Sequence, residues 1–276
     1  MSDVRAELAA TVMVLRDGAQ SDGLEVFCVH RHPNLRAWGG AVAFPGGKVE
    51  DCDFDPRFDK LTTPVDGRVF GFGEPAPVER AAVIGAVREC FEEACLLPVL
   101  GELDQHGVDS LRRDYKGETE FVDRIEDAGL TLDLGRLWPV ARWMTPPNQS
   151  IRFDARFFVM ALPPGQVGSQ VGEESLECFW SRPAKILERF ERRELDLVPP
   201  TQWMLHMLSN FNEISTVRAF VERQSLHVVC PELYSKYGKI SLVLPGHANH
   251  TVPIPSLEGP TSYDLREGRF VLNLKS

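Results

Sequence analysis

The stretch Arg88-Glu89-Cys90-Phe91-Glu92-Glu93 places three carboxylates at i, i+3 and i+4 behind an arginine. On a helix, that spacing sets all three on one face within a few ångströms of each other. Like charges so arranged repel, so a cation is expected among them, and an all-oxygen donor set suits a hard divalent ion. The plainer alternative is a solvated acidic face, which runs of glutamate on surface helices commonly are. Well upstream, Phe44-Pro45-Gly46-Gly47 marks a tight turn whose glycines let other groups approach the backbone closely.

The helix that carries the carboxylates also needs a reason to form. Val83, Val87, Cys90 and Ala94, flanked by Ile84, Phe91 and Cys95, make an apolar stripe of helical period that can dock onto a sheet. Gly85, one turn before Glu89, leaves room on the carboxylate side for a substrate or for the Gly46-Gly47 turn. Residues 8–15 and 24–30 read as the strands of a hairpin, separated by Asp17-Gly18 and Ser21-Asp22-Gly23. Residues 31–47 then set Arg31 and Arg36 ahead of the glycine-rich turn, where guanidinium forks and accessible amides suit phosphate oxygens. The alternative is a pair of ordinary surface arginines.

Residues 88–96 together with 44–50 resemble the box of the Nudix hydrolases, G-x5-E-x7-R-E-U-x-E-E-x-G-U, where U is apolar. Residues 51–78 interrupt that box. Arg80 stands eight residues before Arg88 where the box has a glutamate, which leaves Glu79, Glu74 or Glu50 as the partner of Arg88. Cys95 replaces the glycine that closes the helix, a left-handed position costing a side chain about 1 kcal/mol. The resemblance implies an α/β fold, the Nudix α/β/α sandwich with a mixed sheet, over about residues 1–200, with 201–276 as a C-terminal extension. It also implies Mg²⁺ or Mn²⁺ held by Glu89, Glu92, Glu93 and the Gly46 carbonyl, with Arg88 holding the carboxylates in place. Such ions neutralise a diphosphate and lower the pKa of a bound water.

Residues 31–47 are also similar to the element preceding the box in coenzyme A diphosphatases, L-L-T-x-R-[SA]-x3-R-x3-G-x3-F-P-G-G, with Arg31, Arg36, Gly40 and Phe-Pro-Gly-Gly in register. Residues 143–158 resemble the corresponding region of an animal coenzyme A diphosphatase that likewise carries an insertion in its box. The implied substrate is coenzyme A or a thioester of it, split into adenosine 3′,5′-bisphosphate and 4′-phosphopantetheine. Arg31, Arg36, Gly46, Gly47 and Lys48 are the implied substrate contacts. An acidic residue from the loop after the box, Glu173, Glu174 or Glu177, is the implied base or further ligand, and Glu174 is taken as the candidate. ADP-ribose, nucleotide sugars and capped RNA share the diphosphate and are the alternatives within the enzyme class. A non-catalytic ligand-binding regulator on the same scaffold is the alternative outside it.

The 276-residue chain carries a net charge of −10, which opposes a general nucleic-acid partner. No run approaches the ~20 apolar residues of a membrane span, and the first residues lack an apolar signal core, so a cytoplasmic location is expected. Six cysteines without a C-x-x-C pair read as reduced thiols. Asp51-x-Asp53-x-Asp55 fails as a calcium loop because Pro56 and Thr62 occupy its glycine and carboxylate positions. His247-x-x-His250 lacks a helix pattern or acidic partner and reads as loop histidines. The inserted residues 51–78 are expected to fold over or beside the site, with Phe54, Phe58, Phe70 and Phe72 against the core or walling the cleft. Residues 110–128 and 199–221 each read as one helix, and short β-like runs after 226 pack on the core or on a second subunit, so a homodimer is among the expected assemblies.

Overall fold

The computed structural model describes residues 5–18, 23–34, 38–64, 67, 71–147, 149–169 and 175–275. Its centre is strand β1 (Glu7–Asp17), which buries Ala10, Val12 and Val14 on one face and Met13 and Leu15 on the other. A strand apolar on both faces belongs in the middle of a sheet covered on both sides. Strand β2 (Leu24–Arg31) pairs antiparallel with the end of β1, as the hairpin reading expects, and repeats the alternation, with Phe27 and Val29 on the first face and Val26 and Cys28 on the second. Strand β3 (Val42–Ala43) extends the β2 edge. The glycine-rich turn becomes β4 (Gly46–Lys48), antiparallel to the start of β1. The remaining strands are β5 (Trp138–Met144), β6 (Phe153–Ala161), β7 (Ser175–Ser181) and β8 (Val228–Val229). The order is β3-β2-β1-β6-β5-β8, with β4 beside β1 and β7 beside β2, and the β1–β6 and β5–β8 pairs are parallel.

Helices cover both faces, giving the expected mixed-sheet sandwich. The inserted segment supplies α1 (Phe58–Leu61), followed by α2 (Ala76–Ala94), which carries the carboxylates and lays Val83, Ile84, Val87, Cys90, Phe91 and Ala94 into the first core. Cys95 closes α2 at φ +54°, taking the left-handed position with a side chain in place of glycine. Helices α3 (Gln105–Arg112) and α4 (Phe121–Asp127) follow it. The single helix expected over 110–128 is broken, because Asp114 takes φ +58° and Gly117 φ +130° between the two. The second face is covered by α5 (Pro183–Glu191), α6 (Pro199–Leu208) and α7 (Ile214–Val221), so the expected helix 199–221 is also two.

A four-stranded antiparallel sheet, β9 (Glu232–Lys236), β10 (Lys239–Val243), β11 (Ser262–Arg266) and β12 (Arg269–Leu272), closes the chain. It packs on the second core through Leu242, Leu244, Leu257 and Tyr263, and Gln202 of α6 donates to the Phe270 carbonyl at 2.8 Å. None of the six cysteines is in a disulfide. Among the described residues no helix is long and apolar enough to cross a membrane.

Two of the inserted phenylalanines enter the core: Phe58 lies against Phe121, and Phe72 meets Phe158 edge-on with ring centres 5.8 Å apart. Phe54 is 41 % exposed, and Phe70 lies outside the described residues. The far end of the segment is tied down by Glu74, whose carboxylate lies 2.6 Å from Arg142 Nη2 on β5.

Candidate active site

Arg88 is 1 % exposed, and each of its five N–H donors has an acceptor. Nε donates to Asp53 Oδ1 at 2.9 Å, and Nη2 to Asp53 Oδ2 at 3.0 Å and to the Lys48 carbonyl at 2.8 Å. Nη1 donates to Glu89 Oε1 at 2.8 Å and to Glu92 Oε2 at 3.0 Å. Burial alone would lower its pKa, but the hydrogen bonds and charge of Asp53, then Glu89 and Glu92, raise it above the ordinary value.

The partner of Arg88 is therefore Asp53, and not Glu79, Glu74 or Glu50. Asp53 sits in a 3-10 turn (Asp51–Phe54) capped by Glu50, whose N–H donates to Asp53 Oδ2 at 2.9 Å. Glu74 pairs with Arg142, and Glu79 is buried and accepts from the Glu74 N–H. Gly85 makes room for this turn, since a Cβ there would lie 2.8 Å from Asp53 Oδ2; the space expected for a substrate or for the Gly46-Gly47 turn goes to the aspartate.

The glycine turn meets the carboxylates directly. Gly46 faces Thr11 across β1 and Gly47 faces Ala10. Pro45 accepts from Val12 and Leu8 from Val49, so Gly46 is a non-hydrogen-bonded ladder position with its N–H and C=O turned away from β1. That N–H donates to Glu93 Oε2 at 2.9 Å. At Gly47 a Cβ would sit 2.6 Å from the Glu89 carboxylate, so Gly47→Ala is expected to displace Glu89 and to reduce activity by ~10-fold or more while a far-UV spectrum stays native. Arg31 Nη1 approaches Glu93 Oε1 at 3.6 Å, which puts this upstream arginine at the cluster.

Lys48 joins through its carbonyl only. Strand alternation sends its side chain to the opposite face from Gly47, where Nζ pairs with Glu7 at 2.8 Å. The same parity separates Glu177 from the cluster. Its neighbour Cys178 points Sγ at the Glu93 carbonyl, and Glu177, facing the other way, lies 3.7 Å from His30 Nδ1. Arg36, Glu173 and Glu174 lie outside the described residues.

Burial pushes the Glu89 carboxyl up to about 8; Arg88 pulls it down, while Glu93 and Glu92 raise it further. A carboxylate so penalised gains from a nearby cation. Among the described residues no three Asp, Glu, His or Cys side chains converge as a ready-formed cage, because the carboxylates are held by Arg88, Arg31, the Gly46 N–H and Tyr115. The donors themselves, three carboxylates and an outward backbone carbonyl, are the hard oxygen ligands that a small divalent ion takes.

A family profile described as the NUDT19 Nudix domain matches residues 6–208. The chain belongs to the Nudix superfamily, in the NUDT19 Nudix domain family. Members of this superfamily generally use divalent metal ions. The acyl-coenzyme A diphosphatase NUDT19 of Xenopus laevis is 25% identical over 243 residues, covering 73% of this chain and 64% of the relative. That of Gallus gallus is 28% identical over 233 residues, covering 67% and 61%. The chain thus spans a little under two thirds of the length of these curated relatives. A crystallised Nudix hydrolase from Alicyclobacillus acidocaldarius superposes with a TM-score of 0.65 at 28% identity, covering 78% of this chain and 96% of that one.

Proposed function

We propose that this Nudix domain hydrolyses the diphosphate of coenzyme A or of an acyl thioester, giving adenosine 3′,5′-bisphosphate and (acyl-)4′-phosphopantetheine, with Mg²⁺ or Mn²⁺ as cofactor. The observation that carries the reading is the junction of α2 with β4, where Glu89 lies against Gly47, Glu93 against the Gly46 amide, and Arg31 reaches the same carboxylate. The names of its NUDT19 relatives supply the substrate class. Glu89, Glu92, Glu93 and the Gly46 carbonyl would hold the ion, which when bound supplies charge neutralisation for the diphosphate and acidifies water.

The chain's own groups do the positioning. Arg88 keeps Glu89 and Glu92 at a fixed separation, while Asp53 keeps Arg88 from rotating. The Gly46 amide fixes one oxygen of Glu93. Arg31 and Arg36 supply permanent positive charge for phosphate oxygens, and Glu174 remains the proposed base. Residues 1–200 would form the hydrolase domain and 201–276 the extension.

Incubating the protein with Mg²⁺ or Mn²⁺ and a panel of coenzyme A, acyl thioesters, ADP-ribose and nucleotide sugars, with products identified by mass, tests the reaction. Coenzyme A cleaved no faster than ADP-ribose would overturn the substrate class. Arg31→Ala is expected to raise KM for coenzyme A above that for 3′-dephospho-coenzyme A by the equivalent of ~1–3 kcal/mol, the loss of one charged hydrogen bond. Equal losses on both would mean that Arg31 does not read the 3′-phosphate.

A further inference from the structure

The Glu92 carboxylate is gripped from two sides, and only one of them is in the box. Arg88 holds Oε2 from within α2, while the Tyr115 hydroxyl donates a short hydrogen bond to Oε1 from the far side of α3. Several local features bring Tyr115 there. Asp104 caps α3 by accepting from the Gly107 N–H at 2.9 Å, and the helix runs only to Arg112. Asp114 then takes φ +58°, a left-handed position that a short polar side chain tolerates better than most, and the chain folds back onto α2.

The returning ring is locked in place. Tyr115 meets Phe91 of α2 edge-on with centres 5.3 Å apart, and the Arg112 guanidinium lies 4.7 Å over the tyrosine ring. Arg112 also donates Nη2 to the Glu92 carbonyl at 3.4 Å, tying the same residue through its backbone. An ionised carboxylate has about four lone-pair sites. Arg88 and Tyr115 each take one such site, on different oxygens of Glu92, and so fix the direction of the carboxylate.

We infer that Tyr115 is a positioning residue for the divalent-ion site, setting the Glu92 carboxylate in the orientation from which it would bind the ion; this rests on the metal reading proposed above. Hydrogen bonds that orient a ligating carboxylate are typically worth 10- to 100-fold in metal affinity. Tyr115→Phe removes the donor and keeps the ring on Phe91 and under Arg112. The full-length variant is expected to bind Mn²⁺ at least ~10-fold more weakly, read from free Mn²⁺ by electron paramagnetic resonance.

Activity is not needed for this readout, and apo Tm serves as the structural control, since a purely structural tyrosine would move Tm and leave Mn²⁺ affinity alone. In a Glu92→Gln background the same change should have little further effect, because Tyr115 acts through Glu92. Mn²⁺ binding by Tyr115→Phe within about twofold of wild type, or losses that simply multiply in the double variant, overturns the inference. Wild-type protein whose Mn²⁺ binding is absent, or is unmoved by Glu93→Gln, overturns the metal reading and this inference with it. Tight wild-type binding with an unmoved Tyr115→Phe overturns the inference alone.

Discussion

Asp53→Ala is expected to destabilise the protein by about 3–5 kcal/mol, the cost of leaving one member of a buried ion pair without its partner. Asp53 and Arg88 are 1 % exposed each, and the aspartate takes two of the guanidinium's five hydrogen bonds. For a chain of this size the loss corresponds to a Tm drop on the order of 10 °C. Asp53 also accepts from the Glu50 N–H, so alanine would loosen the turn as well as the arginine. Asp53→Asn keeps one acceptor for Arg88 and should lose less. Thermal and urea unfolding of the three proteins checks the ordering. An Asp53→Ala protein as stable as wild type would show that the pair does not anchor α2.

Glu93→Gln is expected to leave stability nearly unchanged while lowering kcat by at least ~100-fold, because it removes a charged oxygen donor from the proposed metal face. The amide retains an oxygen that can accept from the Gly46 N–H, and the lost attraction to Arg31 acts over 3.6 Å between partly exposed groups, where ion pairs contribute little. Glu102→Gln, on the surface before α3, is the matched control for loss of one negative charge. Rates at the wild-type level in Glu93→Gln would take that residue out of the metal site; a fall in Tm comparable to that of Asp53→Ala would assign it to the scaffold.

The layered fold was legible because it follows from periodicity. The stripe from Val83 to Ala94 and the two-faced apolar run of β1 require a helix on a sheet covered on both sides. Asp53 escapes the box reading because it falls in residues 51–78, which interrupt the box, although six positions after Gly47 is where the box places its first acid. An aspartate there is one methylene short, and the glycine at 85 lets it reach. Lys48 could have been placed from sequence by strand parity, since adjacent residues in β4 face opposite ways. The helix breaks had signals too: Gly117 in one case, and the Asn210-Phe211-Asn212 cluster in the other. Tyr115 had none, because its place depends on the left-handed turn at Asp114 and on contacts no local pattern encodes.

The parallel pairing of β1 with β6, from Glu7 with Phe153 to Leu15 with Ala161, also shapes the order in which this domain can be assembled on the ribosome. At about 5–20 residues per second, the partner of the central strand follows it after an interval on the order of 10 s. In that interval β1 and β2 can close as a local hairpin, but the long edge of β1 and two apolar faces stay uncovered. Such an edge is a template for pairing with other nascent chains. The domain therefore emerges with a pairing edge and two apolar faces uncovered, so a chaperone that shields extended apolar segments should raise the yield of wild-type protein more than one acting after release.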